Sequence, residues 1–157
     1  MKIGDILTKD TVKVDLEKTD KSGVVGELVD LLVSADKVPG KDKKKVIGVI
    51  LEREELGSTG IGQGIAIPHG KCGYVRDLVI ALGISRKGID FDSLDGEPVY
   101  IVFLLLATTS SAGPHLKALA HISRLLKDEF FRQTLKNCQD AKQVLDSIKK
   151  EEERRYS

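Results

Sequence analysis

Residues 99–107, nine in a row, carry apolar side chains at both odd and even positions. Strand side chains alternate between the two faces of a sheet, so such a run predicts a central strand covered on both faces. The rest of the chain offers the covering layers. Val12, Val14 and Leu16 alternate with Lys13 and Asp15, the pattern of a half-buried strand. From Gly23 the spacing becomes helical, with Val24, Val25, Leu28, Leu31 and Leu32 on one stripe and Ser22 as its N-cap. Pro39-Gly40 interrupts the chain, and a second helix over about 43–56 ends at Gly57, which suits the C′ position. Further strands are expected at 65–67 and 78–85, and helices at about 116–126, 128–135 and 141–152. The charged segment 149–157 is expected to fray, leaving a core of about 3–148. Helices and strands interleave throughout, which predicts a single α/β domain over 1–157.

The balance of charge narrows the function. A net charge of +1, aromatic residues at 4% and no Trp argue against nucleic-acid binding, and the lysines at 41 and 43–45 read as a solvated helix start. The longest apolar run is far short of the roughly 20 residues needed to span a bilayer, so no direct membrane insertion is expected. Two cysteines, Cys72 and Cys138, give no disulfide framework and fit reduced thiols in a cytoplasmic chain.

The chemistry gathers around Gly57-Ser58-Thr59-Gly60-Ile61-Gly62-Gln63-Gly64, which leads through Ile65-Ala66-Ile67 to Pro68-His69-Gly70. The glycines follow a helix and precede a strand, the reverse of a dinucleotide fingerprint, and no Gly-Lys-Ser/Thr is present. Nucleophile-elbow spacing around Ser58 is also missing. Ser58, Thr59 and Gly60 then form either an anion-binding nest or a purely structural turn. His69 stands at a strand end between two residues that restrict the backbone, either as a presented imidazole or as a structural histidine. His115 follows Gly113-Pro114 in a first helical turn and faces the core with Leu119, Ile122 and Leu126, so a core role competes with a functional one. Arg53 is either a surface arginine or a fork for phosphate oxygens. His121 falls on the polar side of its helix with Lys117, Arg124 and Asp128, which predicts a solvated residue without a role. No metal-ligand spacing stands out, and neither a metal nor a cofactor is expected.

The run Leu51-Glu52-Arg53-Glu54-Glu55 through Gly57-Ser58-Thr59-Gly60 to Ile67-Pro68-His69-Gly70 resembles the EIIA domains of the fructose/mannitol class of the bacterial phosphoenolpyruvate:sugar phosphotransferase system. Gly88-Ile89-Asp90-Phe91, Asp95-Gly96-Glu97-Pro98-Val99 and His115-Leu116-Lys117-Ala118-Leu119-Ala120 extend the likeness, which is strongest to the nitrogen-regulatory branch. The resemblance implies one EIIA type-2 domain, built as a mixed β-sheet of about five strands packed between helices. It implies a phosphotransferase in which His69 accepts a phosphoryl group from an HPr-type phosphocarrier protein, with His115 as second active-site histidine and Arg53 as a phosphate-side cation. The group, or the signal it carries, would pass to an EIIB domain or to regulatory target proteins. At Thr109 the chain departs from the branch, where an acidic residue is more usual.

Overall fold

A computed structural model describes residues 2–110 and 112–156. Its sheet is organised by β5 (Val79–Ile89) and β6 (Val99–Thr108), which pair antiparallel at the centre. β1 (Val12–Val14) adds parallel to the outer side of β5. On the other side of β6 lie β3 (Ile65–Ala66) and β4 (His69–Cys72), both parallel to it, and β2 (Gly60–Gly62) closes that edge antiparallel to β3. β3 and β4 follow one track: Ile65 pairs Ile101 and His69 pairs Leu105, an unchanged register. Pro68, which has no N–H to donate, breaks the strand between them, although its carbonyl still accepts the Leu105 N–H at 3.0 Å.

The parity expected of the apolar run is observed from 101 to 106, whereas Val99 lies with the even-numbered residues, beyond the irregularity in the pairing of β5 and β6. Ile101, Phe103 and Leu105 join Ile65, Ile67 and Ile80 under α1 (Ile3–Ile6), α4 (Ala112–Leu125), α5 (Glu129–Lys136) and α6 (Ala141–Tyr156). Val102, Leu104 and Leu106 join Ala66 and Ala81 on the other face, against α2 (Lys21–Ser34) and α3 (Lys43–Glu55). The fold is therefore α/β with a mixed open sheet between helices, as expected, with six strands among the described residues where about five were expected. β2 and β4 are the strands that the sequence pattern does not show, each too short to display a periodicity. β5 also runs on past Ser85, because pairing with β6 resumes at Ile89 beyond an irregularity that accommodates Gly88 at φ +91°. The first long helix starts at Lys21, with Asp20 rather than Ser22 at its N-cap.

Two expectations for the C-terminal region are corrected. α6 continues to Tyr156, and Glu152 is only 1% exposed. Its carboxylate accepts the backbone N–H groups of Ile3 at 2.7 Å and Gly4 at 2.8 Å, capping α1. His121 is likewise buried, and its Nε2 lies 2.6 Å from Glu152 Oε2. What reads as the polar side of α4 is covered by other helices at this point.

Candidate functional site

Residues 65, 67 and 69 share the face of the sheet that α4 covers. Ile65 and Ile67 are core there, and His69, half-buried, follows them at the end of the track beside Leu105. Its Nδ1 lies 2.9 Å from the carbonyl oxygen of Ile67. A carbonyl only accepts, so Nδ1 carries the proton and donates it, and the lone pair is left on Nε2. The backbone thus fixes the tautomer in which Nε2 is a nucleophile.

α4 brings His115 to the same place, with the two imidazole centroids 5.2 Å apart and the ring planes at 58°. His115 is 3% exposed. Its Nδ1 is buried and has no hydrogen-bond partner among the described residues. Burial, then the neighbouring His69, then Lys71 lower its pKa from the ordinary 6.5 to about 4. It is therefore neutral at pH 7, an uncharged ring with an unmet polar atom beside His69.

Arg53 occupies the last turn of α3, in the opposite helical layer, and its Nη1 donates to the Gly57 carbonyl at 2.9 Å. The structure therefore brings His69 and His115 together and attaches Arg53 to the loop that leads to them. The loop donors face inward. Ser58 Oγ donates to the Phe91 carbonyl at 2.7 Å and accepts from Gly60 N–H at 3.0 Å. Thr59 is buried, and both its N–H and its hydroxyl bond to the Glu54 carboxylate. Ser58, Thr59 and Gly60 make a framework in this structure, with both hydroxyls and the Thr59 and Gly60 N–H groups engaged.

Three further groups belong to the site and were not singled out from the sequence. The Ile67 carbonyl could not be, since any residue supplies one. Glu54 follows Val46 and Ile50 at steps of four, so the buried stripe of α3 points to it. Lys71 lies two residues beyond His69 on β4 and therefore projects from the same face. Among the described residues, no group of three or more His, Cys, Asp or Glu side chains is placed to hold a metal ion, and no helix is long and apolar enough to cross a membrane.

Comparison with known proteins bears on the family and the fold. Residues 5–151 match the family model described as "Phosphoenolpyruvate-dependent sugar phosphotransferase system, EIIA 2". A PTS system fructose-specific EIIABC component of Bacillus subtilis is 41% identical over 94% of this chain, which spans only 23% of that relative's length. A nitrogen regulatory protein of Bradyrhizobium diazoefficiens is 37% identical over 92% of both chains. The crystal structure of nitrogen regulatory protein IIA-Ntr from Neisseria meningitidis superposes with a TM-score of 0.84 at 32% identity, covering 93% of this chain and 98% of that one. A fold shared end to end, and sequence identity that includes single-domain relatives, leave one assignment: the chain belongs to the EIIA 2 family of the phosphoenolpyruvate-dependent sugar phosphotransferase system.

Proposed function

We propose that His69 is the residue through which this EIIA domain carries a phosphoryl group. The observation that carries the reading is the Nδ1–H bond to Ile67, which leaves Nε2 as the free base. In the proposed step the Nε2 lone pair attacks the phosphorus of a phosphorylated HPr-type protein. The donor's bond to phosphorus breaks, the donor keeps that electron pair, and a new N–P bond forms on His69. Phosphoryl transfer asks a protein mainly for alignment and charge stabilisation. The neutral His115 ring has an N–H to offer a phosphoryl oxygen, and Lys71 and Arg53 bring positive charge to the strand and the loop. Ser58, Thr59 and Gly60 hold the presenting backbone. Phosphorylation then adds about −1.5 to −2 charge at a half-buried spot, so the partner surface changes sign locally.

The regulatory use of that change is the preferred reading, supported by the nitrogen regulatory relatives that match along nearly their whole length. The fructose-specific relative supports a second use, in which the group passes on to an EIIB domain during sugar uptake. The test is labelling from phosphoenolpyruvate through purified relay proteins. His69→Ala should take up no label; a variant that is still labelled on histidine overturns the assignment. Rapid discharge of the labelled protein to a fructose-type EIIB, with sugar phosphate formed, selects transport over regulation.

A further inference from the structure

Arg53 and Glu54 are adjacent at the end of α3, and both grip the loop before His69. The grip of Glu54 is the more deeply buried. Its residue is 5% exposed, and its carboxylate accepts the Thr59 N–H at 3.1 Å and the Thr59 hydroxyl at 2.5 Å. Lys21 Nζ lies 3.3 Å from the same carboxylate and 3.5 Å from Asp92, so the charge is compensated locally. The Thr59 carbonyl in turn accepts the Ile67 N–H at 3.1 Å. The Ile67 carbonyl accepts from His69 Nδ1 at 2.9 Å. A continuous chain of bonds runs from α2 through Lys21, Glu54, Thr59 and Ile67 to the imidazole.

We infer that Glu54 is a positioning residue for His69, holding through Thr59 and Ile67 the carbonyl that keeps the ring in its Nδ1–H tautomer. The inference rests on the reading of His69 as phosphoryl acceptor. The link is positional. At Thr59 and again at Ile67 the N–H and the C=O belong to different peptide units, so an α-carbon interrupts conjugation at each step. Location passes along this chain, and polarisation does not. If the Ile67 carbonyl moves off the ring, Nδ1 loses its acceptor and the proton is free to reside on Nε2, where it blocks attack. A carboxylate suits the anchor because it takes both Thr59 donors and Lys21 at once, with charge-assisted bonds. An amide of the same size cannot, since its NH₂ would face Lys21 donor to donor.

The test uses Glu54→Gln in the full chain, read by nitrogen NMR of the histidine rings and by acceptance kinetics from phosphorylated HPr. The Nε2–H tautomer of His69 should become populated, and kcat should fall about 10-fold with KM for the donor unchanged, the scale of a misplaced reacting group. Thr59→Val and Lys21→Met should shift both readouts in the same direction by smaller amounts, about 3-fold in rate, and Thr59→Ser should restore them. These variants decide the matter even where Glu54→Gln folds poorly. A native His69 ring spectrum in Glu54→Gln, or a rate loss that only follows the folded fraction, overturns the inference. Label uptake by His69→Ala would instead overturn the acceptor reading, and the ring spectra would still test Glu54, because they require no phosphoryl transfer.

Discussion

α4 carries two buried histidines six residues apart, and they are equipped in opposite ways. His121, 5% exposed, meets the Glu152 carboxylate at 2.6 Å, and that carboxylate also caps α1. His115 is as deeply buried, yet its Nδ1 has no partner among the described residues and its nearest ring is another histidine. Burial therefore does not separate these two histidines; the partner does. A buried polar group with its bond made adds to the fold, and one left unmet costs stability that a ligand or a transferred group can return.

The contrast is broken most directly by removing each ring in turn. His121→Ala takes one hydrogen-bond partner from the buried Glu152 carboxylate, and urea denaturation should show a loss of about 2 kcal/mol. Its phosphoryl acceptance per folded molecule should stay native. Slowed acceptance by folded His121→Ala would show that the two histidines are coupled after all. His115→Ala should do the reverse, slowing transfer on the order of 100-fold, the scale of one lost charge-stabilising donor, with the smaller change in stability. Rapid-quench labelling measures this, and an unchanged rate would return His115 to a core role.

Acid sharpens the comparison further. The His115 pKa in the folded chain is about 4, below the ordinary 6.5. As pH falls, the unfolded chain takes up that proton first, so the stability is complete above about pH 6.5 and is lost on descending towards 4. His115→Asn should flatten this limb in a series of urea midpoints against pH, and a limb of undiminished slope would assign it to other groups. The smallest effect belongs to Lys71, whose charge helps to depress His115. Lys71→Met should move the acid limb upward and slow acceptance about 3-fold at low salt, with the difference vanishing in molar salt. A difference that persists there would mean the lysine acts by contact.

Much of this was legible in the sequence because it is periodic or local. The double parity at the centre of the apolar run, 101–106, is the sheet covered on both faces, and the helical stripes of α2 and α3 cover one of them. His115 reads correctly as core-facing because Leu119, Ile122 and Leu126 mark its stripe. His121 misleads for a related reason: its neighbours Lys117 and Arg124 describe a wet face, but α6 and α1 arrive from distant sequence to cover that spot. Nothing in Lys-Lys-Glu-Glu-Glu-Arg-Arg distinguishes the buried Glu152 from its neighbours. The inward turn of Ser58 and Thr59 is hidden too, since glycine-rich loops with free and with engaged donors have the same composition.

Gly70 gives the site one further property. A Cβ built there would lie 2.8 Å from Val49 Cγ1, so α3 rests directly on the backbone of β4. Residues 69 and 70 face opposite layers, and the peptide between them is pinned on both sides. A methyl at position 70 should press on α3 first, and the disturbance should travel along that helix to Arg53 and Glu54 before returning through Thr59 and Ile67 to the imidazole. Two residues that share one peptide unit are thus linked a second time, through α3, Thr59 and Ile67. The seat of a helix on one face of the sheet becomes a remote adjustment for a nitrogen on the other.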